Sequence, residues 1–274
     1  MNLVKEKEAE KNKEKAERRF VTVTETPGIG ASKEQLSMLY TRYKFALPFC
    51  KGKKVLEVAC GSGQGLGYLA GRSVRVVGGD IDSDNLRFAG SHYSGNPRVD
   101  IQKFDAHRLP FKDSSFGVII IYEAIYYLND LEGFLLECRR VLHAEGTIVI
   151  CTVNNQWPDF NPSPFSTRYY SGAEISGILE NKGFQTTLFA GFPVGGDSIR
   201  SRVISVIKRM AVSMNLVPKT MKGKEFLKRV FFGELGVLPD EVREGMADYR
   251  QPLSLSPNDE IREYKVLYII GRLP

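Results

Sequence analysis

The chain has 274 residues, 42% hydrophobic and 26% charged, enough for one large core with an embellishment. No apolar run approaches the roughly 18 residues of a membrane span, since the longest, Val118 to Leu128, is interrupted by Glu123. Lys and Arg number 38 against 32 Asp and Glu, a net charge of +6, and nine basic residues against one acid fall between Ser198 and Phe231.

Met1 to Arg19 mixes seven basic with five acidic residues and lacks the apolar stretch of a secretory signal. It reads as a solvated charged segment, since a nucleic-acid arm rarely carries so many acids. The four cysteines (Cys50, Cys60, Cys138, Cys151) are far apart with no C-x-x-C, a pattern of free thiols in a reducing, cytoplasmic compartment. His92, His107 and His143 are equally scattered, so no metal site is expected and the chemistry should be metal-independent.

Phe20 to Thr26 alternates β-branched and polar residues before a Pro27-Gly28 turn. Ser32-Lys33-Glu34-Gln35 is a capping box, and Leu36, Leu39, Tyr40 and Tyr43 continue it as an amphipathic helix. Lys54 to Gly65, KKVLEVACGSGQG with its leading lysine, runs an apolar strand containing Glu57 into glycines at 61, 63 and 65. The G-x-G-x-x-G dinucleotide fingerprint fails there, because Leu66 stands at its third glycine. A carboxylate beside such a loop suits a cationic, amino-bearing ligand rather than a pyrophosphate.

The pattern Glu57-x-Ala59-x-Gly61-x-Gly63 resembles the first motif of class I S-adenosylmethionine-dependent methyltransferases, with Ala59 departing from the family's first glycine. A second strand, Val74 to Gly79, ends at Asp80, 23 residues after Glu57, near the spacing of a ribose-binding acid. The resemblance places Ile81 against the adenine. Asp80-x-Asp82-x-Asp84 imitates a calcium loop but has Asn85 and Ser91 where glycine and glutamate are needed. Arg98 to Phe104 is a third strand, and the following DAHRLPF resembles the family's adenine-contacting segment, matching at Asp105 and Ala106. His107 is expected to face solvent.

Gly117 to Tyr122, Thr147 to Thr152, Phe184 to Ala190 and Tyr264 to Gly271 complete seven strands alternating with helices. The expected fold is a doubly wound, mostly parallel α/β sheet of the Rossmann-like methyltransferase type. Residues 20–192 with 264–274 would form the core. Residues 193–263, where the family usually makes a near-direct hairpin, would be a helical insertion acting as a substrate lid, or else an assembly arm.

The resemblance implies S-adenosylmethionine as cofactor, held by Glu57, Ala59, Gly61, Gly63, Asp80, Ile81, Asp105, Ala106 and Tyr122. Glu123 and Tyr126, leaving the fourth strand, are the candidate catalytic pair. Tyr40 and Tyr43 on the preceding helix, with Asn154 and Tyr170 in the loop after strand five, are candidate acceptor contacts. The expected acceptor is a small polar, anionic molecule such as a sugar or glycan precursor, methylated on oxygen or nitrogen. RNA is the alternative, suggested by the basic run and opposed by the missing Asn/Asp-Pro-Pro-Tyr/Phe tetrapeptide after strand four. Residues 198–214 also pair an apolar face with cations, as a peripheral membrane contact does. No feature of the sequence sets an oligomeric state.

Overall fold

The computed structural model describes residues 25–194, 235–256, 259 and 261–274. The charged segment 1–19, the stretch 20–24, the basic run 198–231 and its helical patterns lie outside the described residues. A short β1 (Gly30–Ala31) leads into α1 (Lys33–Cys50), then β2 (Lys54–Val58), α2 (Leu66–Ala70), β3 (Arg75–Asp80), α3 (Ser83–Tyr93) and β4 (Val99–Lys103). The second half carries β5 (Phe116–Tyr122), α4 (Leu131–Val141), β6 (Leu142–Val153), α5 (Gly172–Asn181) and β7 (Gln185–Pro193). After β8 (Gly236–Val237) and β9 (Leu253–Ser254), β10 (Tyr264–Arg272) closes the sheet.

The strand order is β4-β3-β2-β5-β6-β10-β7-β9. β2 through β6 pair in parallel, while β10 lies antiparallel between β6 and β7. Seven of these strands are the seven read from the sequence; the eighth, β9, comes from the insertion and pairs with Phe189 and Ala190 of β7. Side-chain alternation divides the core in two. Val55, Val118 and Ile120 face α1, α2 and α3, while Leu56, Ile119 and Ile121 face α4 and α5. Side-chain oxygens of Ser32, Asp130 and Ser171 accept backbone N–H groups at the starts of α1, α4 and α5, and the two serines complete capping boxes.

The described part of the insertion, beyond the stretch where helical patterns were read, holds no helix. Residues 235–256 run through turns and bends between two two-residue strands: β8 pairs with β1, and Leu238 and Val242 are buried in the α1 side of the core. Main-chain pairing to β1 and β7 satisfies backbone groups that a helix would have satisfied internally. Among the described residues no helix is long and apolar enough to cross a membrane.

The chain visits β3 and β4 on one side of β2 and then returns to β5 on the other. That reversal leaves a crevice at the carboxyl ends of β2 and β5, where open α/β sheets bind ligands.

Candidate active site

Beyond β2 the backbone turns through three left-handed residues, Ala59 (φ 56°), Gly61 (φ 56°) and Gly63 (φ 80°). Glycine takes this conformation freely, whereas alanine gives up about 1–2 kcal/mol. Ala59→Gly is therefore expected to stabilise the protein by about 1 kcal/mol, read as a higher urea midpoint with unchanged m-value; an unchanged or lower midpoint would show the strain is not there. At Gly63 an added Cβ would stand 2.8 Å from the Ala89 Cβ, so the loop has no room for a side chain. Gly65 packs against the Tyr43 ring, and the Tyr93 hydroxyl donates to the Gly63 carbonyl at 2.9 Å.

A cavity of about 820 Å³ opens over this loop. Glu57 (β2) accepts the Tyr43 hydroxyl on Oε1 at 2.7 Å, while its Oε2 is buried without a partner among the described residues. Burial pushes this carboxyl up to about 7 against the pull of Tyr43 and Arg42. Asp80, ending β3, accepts Gly61 N on Oδ2 at 2.9 Å and Asp82 N on Oδ1 at 2.8 Å. It thus ties the second acid to the glycine loop. Burial raises its pKa despite these bonds. Asp105, just past β4, accepts the backbone N–H of His107 at 2.9 Å and the ring Nδ1–H at 2.7 Å.

Glu123 follows β5 in a left-handed conformation (φ 51°), with its N–H bonded to the Cys151 carbonyl of β6 at 2.8 Å. Such strain in a non-glycine residue is characteristic of functional sites. The carboxyl is pushed up to about 7 by burial, opposed by the Arg42 charge. Its Oε2 accepts the Tyr126 hydroxyl at 3.3 Å, and the Tyr126 ring stacks on Tyr169 with centroids 4.7 Å apart. Trp157 and Lys265 also line the cavity. Among the described residues no group of three or more His, Cys, Asp and Glu is placed to hold a metal.

Residues 56–150 match the family model of the methyltransferase domain. Over that stretch the chain is similar to S-adenosylmethionine-dependent methyltransferases. A probable S-adenosylmethionine-dependent methyltransferase of Mycolicibacterium smegmatis is 35% identical over 142 residues, 50% of this chain and 53% of the relative. A ubiquinone biosynthesis O-methyltransferase of Bartonella bacilliformis is 24% identical over 138 residues, covering 50% of this chain and 56% of its own. The chain thus spans about half the length of the curated relatives it matches. A solved S-adenosylmethionine-dependent methyltransferase of Thermotoga maritima aligns over 88% of this chain and 92% of its own, with a TM-score of 0.56 and 13% identity, a likeness of fold.

Glu57, Ala59, Gly61, Asp80, Ile81, Asp105, Ala106, Tyr122, Glu123, Tyr126 and Tyr43 all line the cavity. Gly63 stands behind it, shaping the loop. Three expected acceptor contacts do not reach it. Tyr40 is turned away from the crevice; its hydroxyl donates to Glu244 at 2.8 Å and accepts Gly245 N at 2.9 Å. Asn154 is buried and spent on backbone, its Nδ2 bonding the carbonyls of Ile261 (2.6 Å) and Tyr264 (2.8 Å). Tyr170 lies outside the lining, under the Arg168 guanidinium. His107 is not solvent-directed either. Its Nδ1–H donates to Asp105 and its Nε2 accepts Asp130 N at 3.3 Å, joining the loop after β4 to the start of α4.

Arg42, Glu25 and Gln64 also line the cavity and had no sequence assignment. The signal for Arg42 was a cation on the buried face of α1, between Leu39 and Tyr43. Gln64, inside the glycine loop, donates to the Pro239 carbonyl at 2.8 Å and its carbonyl accepts Val242 N at 2.7 Å. The returning insertion therefore clasps the loop from outside.

Proposed function

We propose that this chain transfers a methyl group from S-adenosylmethionine to a hydroxyl oxygen of a small polar acceptor. One observation carries the reading: four adjacent parallel strands, β4, β3, β2 and β5, each deliver one carboxylate, Asp105, Asp80, Glu57 and Glu123, into a single cavity. Such a cavity suits a ligand bearing a sulfonium, an ammonium, a ribose diol and an exocyclic amine, all cationic or hydrogen-bond donors. The unpartnered Glu57 Oε2 fits the test directly, because a buried acceptor without a donor is costly until a ligand supplies one.

When bound, the cofactor supplies an electrophilic methyl group on a sulfonium. Glu57, steadied by Tyr43, would take the ammonium; Asp80 would accept from the ribose hydroxyls while holding Gly61 in place. Ile81 and the Asp105-Ala106 corner would receive the adenine. Glu123, ionising near neutrality, would take the proton of the acceptor hydroxyl, with Tyr126 orienting its carboxylate. An amine acceptor needs less help from a base, so a buried carboxyl tuned to about 7 favours oxygen. A hydroxylated ring such as a sugar fits the aromatic wall of Tyr126, Tyr127 and Trp157.

The test is incubation with methyl-labelled S-adenosylmethionine and a panel of sugars, nucleotide-activated sugars, phenols, amines and RNA. Label in an alkali-stable ether of a hydroxyl compound is expected. Label found only in amines or RNA would overturn the reading of the acceptor.

A further inference from the structure

Residues 238–250 cross the outside of the glycine loop, and the proposed reaction gives them no part. Leu238 donates its N–H to the Ile29 carbonyl and accepts Gly28 N–H on its own carbonyl, both at 2.9 Å. Leu238 and Val242 are buried in the α1 side of the core. Here the stretch exchanges two hydrogen bonds with a single residue of the loop. Val242 N–H donates to the Gln64 main-chain carbonyl at 2.7 Å, and Gln64 Nε2 donates to the Pro239 carbonyl at 2.8 Å. Gln64 is itself buried and lines the ligand cavity, so one residue joins the cavity wall to the chain behind it.

Polar side chains carry the stretch onward over α3, α2 and α1. Glu241 pairs with His92 of α3 at 2.9 Å and lies against the start of α2, where a side chain at Gly67 would collide with it. Glu244 Oε1 accepts the Tyr40 hydroxyl at 2.8 Å and Lys44 Nζ at 2.5 Å, and its Oε2 accepts the Tyr68 hydroxyl. The Asp248 carbonyl accepts Ser37 Oγ at 2.6 Å, and Arg250 N–H donates to Thr41 Oγ1 at 3.1 Å. The Glu244 side chain is 63% exposed, and exposed ion pairs add little to overall stability. These contacts instead fix where the stretch lies. The loop they back has left-handed residues at 59, 61 and 63 and is tied from inside by Asp80 on Gly61 N. Holding such a loop in its binding shape beforehand spares a ligand the cost of ordering it.

We propose that residues 238–250 form a strap that holds the glycine loop in its cofactor-binding shape, acting through Gln64 as a positioning residue. The inference rests on the cofactor site of the reading above and deepens it, since the segment between β7 and β10 then sets cofactor affinity. Coupling of this kind is reciprocal: the cofactor steadies the strap as much as the strap steadies the loop.

Amide hydrogen exchange of the wild-type chain, with and without S-adenosylhomocysteine, reads that reciprocity directly. Amides of residues 240–248, Val242 among them, should slow on binding together with those of residues 61–66, and more than those of α5 on the far face of the sheet. Slowing confined to the loop, or no greater in the strap than in α5, would overturn the proposal. Calorimetry on the double variant Glu241→Ala, Glu244→Ala should show S-adenosylhomocysteine weakened by about fivefold or more, with a urea midpoint near that of the wild type. An unchanged dissociation constant, whatever the midpoint, would leave the strap a purely structural part and overturn its positioning role. The exchange arm needs no substitution and decides the matter should the variant fold poorly. S-adenosylhomocysteine failing to bind the wild type would instead overturn the cofactor reading, and the strap with it.

Discussion

Asp80→Ala is expected to weaken cofactor binding by roughly a hundredfold to ten-thousandfold. Each charge-assisted hydrogen bond to a ribose hydroxyl contributes about 1.5–3 kcal/mol, and a carboxylate can make two. The same change also releases Gly61 N and Asp82 N, which Asp80 holds at 2.9 and 2.8 Å, so the glycine loop loses its tie to β3. Asp80→Asn keeps one acceptor oxygen and should fall between the two. Calorimetry with S-adenosylhomocysteine measures both variants, and wild-type affinity in Asp80→Ala would remove Asp80 from the cofactor site.

Glu123→Gln should lower kcat by roughly a hundredfold to ten-thousandfold, the usual worth of a positioned general base, while cofactor affinity stays at the wild-type level. The pH profile carries the sign. Only the ionised carboxylate accepts a proton, and burial holds this carboxyl neutral up to about 7. Wild-type kcat/KM should therefore fall on the acid side of neutrality, by roughly tenfold per pH unit once well below that value, and level off above it. The glutamine variant should lack that ionisation. A profile flat from pH 5.5 to 8 in the wild type, or a glutamine variant with normal kcat, would return Glu123 to a purely structural part.

The cavity wall formed by Glu57, Asp80 and Asp105 was legible because its signals are local. An apolar strand, an acid and glycines within a dozen residues encode Glu57 and the loop, and each later strand announces its own acid where the apolar run stops. The capping boxes at Ser32 and Ser171 are equally local, each closed within three residues.

What failed depended on partners far along the chain. Tyr40 and Tyr43 share one face of α1, and helical spacing alone cannot choose between them. Tyr43 meets Glu57, 14 residues on, whereas Tyr40 meets Glu244, 204 residues on, in an insertion whose path no periodicity revealed. Asn154 looked like a free loop amide, but its carboxamide binds carbonyls 107 and 110 residues away. The edge strand β9 has only two residues and thus too little pattern to be read. Arg42 was overlooked for a related reason: a cation inside an apolar stripe gains meaning only once the cavity behind it is known.

Titrating S-adenosylhomocysteine into the wild-type chain tests the central claim most directly, because it asks only whether the four-carboxylate cavity is a cofactor site. One molecule per chain should bind with a dissociation constant of about 1–100 μM, or some 5.5–8 kcal/mol. Absence of binding at millimolar concentration would contradict the account.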